Sequence, residues 1–272
     1  MILSLLLVPA LLYLALCAIL FFAQTSLLFP TSQVGPAGPP PPGAERLELA
    51  SASGERLAGL HIPPAHRTAG RLLILGFGGN ATNAQETAAL LHDLYPEADV
   101  VAFHYRGYPP SEGRPGAAAL REDAVLIHDF ARARFPAGRI VAIGFSIGSG
   151  VAAALAAERP LDGLILVTPF DSLARVAAAH YPWLPVRLLF RHDLEPARDL
   201  QRSHTPVAIV AGGRDTLIPP ARTDALRLAA PLLRYDRVFE NSGHNDIYGH
   251  PAFPPAMREA LRSLRTEIPS EL

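Results

Sequence analysis

The stretch from Arg139 to Gly150 constrains the fold of this chain more than any other. It begins with a short, β-branched apolar run, Ile140–Ile143, which is typical of a buried strand. It ends with an Ala-rich run, 147–157, which is typical of a packed helix. The connection reads G-F-S-I-G and matches G-x-S-x-G, the sharp turn that holds a nucleophilic serine free of a sheet. The sequence therefore predicts Ser146 as a nucleophile between a strand and a helix.

Apolar strand patterns recur along the chain and alternate with helical patterns. The predicted strands cover residues 46–50, 56–62, 72–75, 99–104, 140–143, 164–167, 207–211 and 234–240. The predicted helices cover 84–95, about 116–135, 147–157 and about 254–266. The first two strands suggest a hairpin, and the alternation predicts an α/β fold with a mostly parallel central sheet flanked by helices.

The stretch of about 172–205 breaks this alternation. It is rich in aromatic residues, leucine and proline, which favours a small, partly helical cap inserted beside the site. A longer crossover with core aromatics is an equal alternative. If the cap faces the site, four of its residues would supply an apolar wall for substrate: Tyr181, Trp183, Leu184 and Phe190.

A serine nucleophile needs a base and a carboxylate that orients the base. Asp215 follows the strand 207–211, and His244 follows the last strand. Ligand and catalytic sites of open α/β sheets lie at the carboxyl ends of the strands, and the order Ser, Asp, His is that of a G-x-S-x-G hydrolase. Three other acids are less well placed, after a different strand, in the cap or two residues beyond the histidine: Asp171, Asp193 and Asp246. We expect Ser146, His244 and Asp215 to form a triad.

The N-terminal residues 1–24 are predicted to be a transmembrane anchor. Met1–Ala23 carries no charge, and about 22 helical residues span roughly 33 Å, enough to cross a bilayer core. A cleaved signal peptide is the alternative, but it would have a basic start and a shorter apolar run. The prediction is a single-pass membrane protein with an uncleaved helix. Its orientation is open, because the first basic residue, Arg46, is too distant for the positive-inside rule.

The remaining residues are divided into a Pro/Gly-rich tether, 25–44, and a catalytic domain, 45–272. Packing of the tether against the domain is an equal alternative. A formal net charge of -1 gives no indication of a nucleic-acid partner, and the single cysteine, Cys17, excludes an internal disulfide. No metal or organic cofactor is expected, and nothing indicates a protein partner.

Further motifs carry a resemblance to a known family. They are the glycine loop G-G-N-A-T-N at 78–83, H-Y-R-G-Y-P-P-S-E-G-R-P at 104–115, the turn G-F-S-I-G-S at 144–149, G-G-R-D-T-L-I-P at 212–219 and G-H-N-D at 243–246. With them the chain resembles the α/β-hydrolase superfamily and, within it, the bud-emergence-type, serine aminopeptidase-like group of membrane-anchored serine hydrolases. The likeness covers about residues 28–264.

The resemblance implies that the backbone N–H groups of Asn80 and Ile147 form the oxyanion hole. The resemblance does not settle the substrate, and we expect hydrolysis of a carboxylic ester or thioester, with a small-molecule or lipid-like acyl compound as substrate. A peptidase or amidase with the same triad, and a non-catalytic binding protein of the same fold, are the alternatives. Two positions depart from the family pattern, with Gly78 in place of histidine and His104 in place of aspartate. Glycine at 78 is expected to loosen the oxyanion loop.

Overall fold

The computed structural model describes residues 2–35, 38–66 and 70–265, and it places one central sheet across them. Its strands are β1 (Glu45–Ala50), β2 (Arg56–Ile62), β3 (Leu72–Phe77), β4 (Asp99–Phe103), β5 (Arg139–Phe145), β6 (Gly163–Val167), β7 (Val207–Gly212) and β8 (Leu233–Phe239). Their spatial order is β1-β2-β4-β3-β5-β6-β7-β8. The pairs β1–β2 and β2–β4 are antiparallel, and every later pair is parallel. The predicted α/β fold is confirmed.

The helices follow the strands in the manner of right-handed crossovers. They are α1 (Ile2–Leu28), α2 (Ala84–Leu94), α3 (Ala117–Arg134), α4 (Ile147–Glu158), α5 (Leu173–His180), α6 (Val186–Leu189), α7 (Pro196–Gln201), α8 (Pro220–Ala229) and α9 (Phe253–Ser263). Short 3-10 turns cover Thr31–Gln33 and Ile247–Gly249. Helix α8 was not predicted, because the sequence after Asp215 opens with turn residues and consecutive prolines.

The inner strands, β2 to β7, are buried on both faces because each face is covered by helices. In β5, Ile140 and Ala142 pack into a core shared with α3 and α4. The alternate residues Val141, Ile143 and Phe145 pack into a second core shared with α2 and α9. The sheet is thereby fixed from both sides, and its carboxyl edge holds the loops that carry the site.

The region 172–205, called the cap here, connects β6 to β7 and contains α5, α6 and α7. Ser172 caps α5, since its side-chain oxygen accepts a hydrogen bond from the N–H of Arg175. Helix α7 packs on α4, and α5 packs on α6. The cap therefore sits beside the helix that begins at the predicted nucleophile.

Helix α1 is long and apolar enough to cross a membrane, by length and composition. It ends at Leu28 rather than at residue 24, so the first residues of the predicted tether continue the helix. Phe29, directly after it, is buried in the same core as α3 and α4, and Val34 packs against that core. The C-terminal part of α1 is thus fastened to the catalytic domain.

Candidate active site

The predicted nucleophile lies on a strained turn between β5 and α4. Ser146 has φ 51° and ψ -118°, a conformation that side-chain-bearing residues rarely adopt and that marks functional turns. A Cβ at Gly144 would lie 2.3 Å from the carbonyl oxygen of Gly148, and one at Gly148 would lie 2.1 Å from that of Phe77. Both glycines are therefore required, because strand and helix backbones approach too closely for a side chain.

The structure brings the three predicted triad residues within hydrogen-bond distance. His244 Nε2 lies 2.9 Å from Ser146 Oγ, and His244 Nδ1 lies 2.7 Å from Asp215 Oδ2. Asp215 is buried, and its other oxygen, Oδ1, accepts hydrogen bonds from the N–H groups of Leu217 and Ile218 at 2.9 and 2.7 Å. These bonds satisfy the carboxylate and hold it toward the imidazole.

The other acids serve different contacts. Asp171 is buried and forms ion pairs with Arg175 and Arg222, each at 3.2 Å. Asp193 lies exposed on the cap. Asp246 Oδ1 accepts a hydrogen bond from the N–H of Gly243 at 2.6 Å, which stabilises the turn that carries His244. Of these acids, Asp215 is the one hydrogen-bonded to the histidine.

The loop after β3 faces Ser146 and carries Asn80. Asn80, Ser146 and Ile147 line the same cavity. Within the described residues, the backbone N–H groups of Asn80 and Ile147 donate no hydrogen bond to another protein group. Ile147 begins α4, so its N–H also lies at the positive end of the helix dipole. Such free, preorganised donors suit a developing oxyanion.

Two tyrosines hold this loop in place, and the sequence reasoning gave them no role. The Tyr105 hydroxyl donates to the Gly78 carbonyl at 2.8 Å, and the Tyr108 hydroxyl donates to the Asn80 carbonyl at 2.8 Å. Burial raises the pKa of both phenols, so both remain donors. The signal for this role was the Y-R-G-Y motif, which the resemblance matched without explaining.

The two departures from the family pattern have distinct surroundings. A Cβ at Gly78 would lie 2.6 Å from Thr87 Oγ1, so Thr87 occupies the space that a side chain would need. His104 is buried, and burial lowers its pKa from 6.5 to about 4. Its Nδ1 has no hydrogen-bond partner among the described residues. His104 is therefore neutral near pH 7, where the family aspartate would carry a charge.

Two cavities meet at Ser146. The larger has a volume of about 460 Å³ and is mostly apolar, and the smaller, of about 370 Å³, is lined also by His244, Asn245 and Thr82. Of the four cap residues named from the sequence, Tyr181, Leu184 and Phe190 line the larger cavity. Trp183 does not line it, and its side chain is half exposed.

Helix α1 supplies one wall of the larger cavity, which the sequence did not predict. Five residues from its C-terminal part line it: Leu20, Phe21, Gln24, Leu27 and Leu28. The opposite wall comes from the cap, with Leu173, Val176 and Ala177 of α5. Because α1 is apolar on every side, no periodicity in its sequence marked a face for packing.

No cluster of three or more His, Cys, Asp or Glu side chains suited to a metal ion occurs in residues 2–35, 38–66 and 70–265. Asp215 and His244, which lie at the nucleophile, are already hydrogen-bonded to each other. The site consists of a hydroxyl, an imidazole, a carboxylate and free amide donors beside an apolar cavity.

Comparisons with known proteins agree with this geometry. A family model described as the alpha/beta hydrolase fold matches residues 72–193. An uncharacterized protein of Mycobacterium tuberculosis is 34% identical over 220 residues, 77% of this chain and 78% of that protein. The lysophosphatidylserine lipase ABHD12 of Danio rerio is 29% identical over 192 residues, 60% of this chain and 50% of the lipase.

Among solved structures, a membrane phospholipase A described as a bacterial virulence factor superposes with a TM-score of 0.63. It is 15% identical, and the match covers 97% of each chain. At that identity the likeness concerns the fold alone. The sheet order, the G-x-S-x-G turn, the family model and the mycobacterial relative together establish that the chain belongs to the α/β-hydrolase family.

Proposed function

We propose that this protein is a membrane-bound serine hydrolase that cleaves a carboxylic ester or thioester of a lipid-like acyl compound. The observation that carries the proposal is the apolar cavity of about 460 Å³ that ends at Ser146, which is itself 2.9 Å from His244 Nε2. A nucleophile and base at the end of an apolar cavity suit an acyl chain with its carbonyl at the serine.

In the proposed reaction, Ser146 Oγ attacks the acyl carbonyl carbon while His244 Nε2 takes its proton. Asp215 holds the Nδ1–H tautomer of His244 and stabilises the imidazolium that forms. The N–H groups of Asn80 and Ile147 stabilise the negative charge on the carbonyl oxygen.

The bond to the leaving group then breaks, and His244 donates its proton to the departing oxygen or sulfur. Water attacks the acyl-enzyme and gives a proton to His244, which returns it to Ser146 as the acid leaves. Each step uses groups that already lie within hydrogen-bond distance in the free protein.

The two cavities suggest a division of the substrate. The larger one is lined by leucine, phenylalanine and valine side chains of α1 and the cap, and would hold the acyl chain. The smaller one includes Thr82, Asn245 and His244, and would hold the leaving group. Peptide recognition would instead require rows of backbone partners, so the apolar wall favours an acyl substrate over a peptide.

One relative supports lipid chemistry, since the zebrafish protein is a lysophosphatidylserine lipase. Helix α1 would anchor this protein in a bilayer by an apolar window, Leu7–Gln33, whose mean hydropathy is 2.2. Its outer side chains, such as Leu14 and Ile19, are exposed.

The test is turnover of p-nitrophenyl esters and acyl-thioesters of graded chain length by the full chain in detergent or bilayers. We expect kcat/KM to rise with acyl length, by up to about 0.8 kcal/mol per methylene buried in the cavity. A flat or falling profile would contradict an acyl pocket there. Cleavage of peptide amides with no activity on esters would favour a peptidase, and failure of a fluorophosphonate to react with the folded protein would favour a non-catalytic role.

A further inference from the structure

Helix α1 and the cap are joined by specific hydrogen bonds to residues 183–192. The Tyr13 hydroxyl donates to the Trp183 carbonyl at 2.9 Å. The Gln24 side chain donates to the Leu189 carbonyl at 3.0 Å and accepts from the Arg191 N–H at 2.8 Å. From Tyr13 to Gln24, therefore, helix and cap lie side by side and share the same depth in any membrane that contains α1.

The outer side of α1 is apolar over this same stretch. The apolar window Leu7–Gln33 overlaps the cap contacts, and only 11% of its most apolar part is buried. Leu14, Ile19 and Phe22 are exposed. If bilayer hydrocarbon covers these side chains, it also reaches the cap beside them.

The cap surface next to α1 is suited to hydrocarbon. Trp183 is 51% exposed and Leu188 is 83% exposed, an unusual display for two large apolar side chains on a short segment. Several backbone N–H groups of this segment already have hydrogen-bond acceptors: those of Leu184, Val186 and Leu188 donate to nearby carbonyls. Pro182 and Pro185 have no backbone N–H. Non-helical backbone enters a membrane only when its polar groups have such partners.

Two arginines limit how deep this surface can go. Arg187 is exposed on α6. Arg191 is exposed two residues beyond the end of α6, and its guanidinium lies 4.5 Å from the centre of the Phe21 ring and donates to the Phe21 carbonyl at 3.1 Å. A charged side chain is costly in the bilayer centre, but it can extend from shallow hydrocarbon to the lipid phosphates. The cap therefore fits the outer part of a leaflet, where tryptophan is also enriched.

We propose that the cap surface around Trp183 and Leu188 is embedded in the outer hydrocarbon of the leaflet that surrounds α1. The cavity between α1 and the cap then opens inside the leaflet, and its occupant enters laterally from the bilayer. The embedding stands on the geometry alone, whereas the identification of the occupant as a substrate lipid rests on the function proposed above.

The sequence offers a direct probe, because Trp183 is the single tryptophan of the chain. The full-length protein is reconstituted into phosphatidylcholine vesicles, with or without bromine on the acyl chains, and tryptophan emission is recorded. We expect blue-shifted emission, protection from aqueous acrylamide, and quenching that is strongest when bromine lies on the headgroup half of the chain.

Three results would overturn the proposal. Free quenching by acrylamide with no effect of bromine would place Trp183 in water. Protection from both quenchers would mean that protein, such as a second copy of the chain, covers the surface around Trp183. Quenching that is strongest from bromine at the chain ends would place the cap deeper than its arginines permit.

A pair of variants separates this proposal from the enzymatic one. Leu188→Asp introduces a charge into the embedded surface, and Leu228→Asp, at a residue 92% exposed on α8, is the matched control. We expect Leu188→Asp alone to reduce bromine quenching of Trp183, at least twofold. Because the emission needs no turnover, bromine quenching in a protein that hydrolyses nothing would leave the embedding intact and overturn the proposed function instead. Equal quenching in both variants and the wild type would contradict the role of Leu188.

Discussion

The two cavities that meet at Ser146 are built in different ways. The smaller one is walled by α2 and by loops at the carboxyl edge of the sheet. At that edge β5 and α4 approach so closely that Gly144 and Gly148 tolerate no side chain. The larger one is walled by side chains of α1 and the cap, which belong to no strand and are held by hydrogen bonds such as Gln24 to Leu189. Backbone packing therefore fixes the reacting groups, while exchangeable side chains shape the space for the substrate.

The largest expected effect on activity comes from removing the nucleophile or the base, which are held at the carboxyl edge of the sheet. Ser146→Ala should leave a folded protein and reduce hydrolysis on the order of 10³-fold or more. His244→Ala should cost a similar factor, and the double variant should be no worse than either single one, because the residues act as a unit. Turnover is measured on purified, folded protein. Additive losses, or unchanged turnover in Ser146→Ala, would refute the assignment.

Loss of the orienting acid should have the next largest effect. Asp215→Asn keeps the hydrogen-bond geometry but favours the wrong histidine tautomer, so activity should fall severely, though by about one to two orders of magnitude less than in Ser146→Ala. Asp193→Asn, on the exposed part of the cap, is the control and should be neutral. If Asp193→Asn or Asp171→Asn abolished activity while Asp215→Asn did not, a different acid would be at work.

On the cap side, a bulkier residue should change substrate choice without stopping the chemistry. Ala177→Phe fills part of the larger cavity and should shorten the preferred acyl chain, with a loss of about fourfold in kcat/KM for each methylene excluded. Leu90→Phe, in the smaller cavity, should alter leaving-group preference instead. The readout is kcat/KM over a chain-length series and a leaving-group series. If both variants changed the chain-length series and the leaving-group series in the same way, the two cavities would not bind different parts of the substrate.

The buried side chain of His104, which directly follows β4, should make the folded protein less stable in acid. His104 has a folded-state pKa of about 4 against an ordinary value of 6.5, so the unfolded chain binds the proton first as pH falls. The contribution of His104 to the free energy of unfolding should therefore decrease from about pH 6.5 to pH 4, by on the order of 3 kcal/mol, and level off below that. Denaturant midpoints measured across this range check the slope, and His104→Gln should reduce it. An unchanged slope in the variant would assign the acid sensitivity elsewhere.

The smallest expected effect concerns the tyrosine that holds the oxyanion loop. Tyr108→Phe removes the donor to the Asn80 carbonyl, a contact of about 1 kcal/mol, so kcat should fall about fivefold with KM nearly unchanged. Tyr235→Phe removes an exposed hydroxyl contact to Glu259 and is the matched control. A rise in KM at constant kcat would point to substrate binding rather than positioning of the loop.

Local pattern and chain order were sufficient to predict the sheet and the meeting of Ser146, Asp215 and His244, because parallel strands end at one edge. Helix α8 was missed, since consecutive prolines stand at its start, and Trp183 was assigned to the cavity but does not line it. The α1 wall could not be predicted either. A helix that is apolar on all sides could face lipid on any side, so its sequence does not mark the side that packs on the cap. That side is set by hydrogen bonds from Tyr13 and Gln24 to residues far along the chain.

The central claim is that Ser146 is an activated nucleophile at the end of an acyl cavity. Intact-mass analysis after reaction with alkyl fluorophosphonates of short and long chain tests both parts at once. The account predicts one adduct per chain, mapped to Ser146, absent in Ser146→Ala, and formed faster with the long alkyl chain. No adduct on the folded protein, an adduct on another residue, or equal rates for short and long reagents would contradict it.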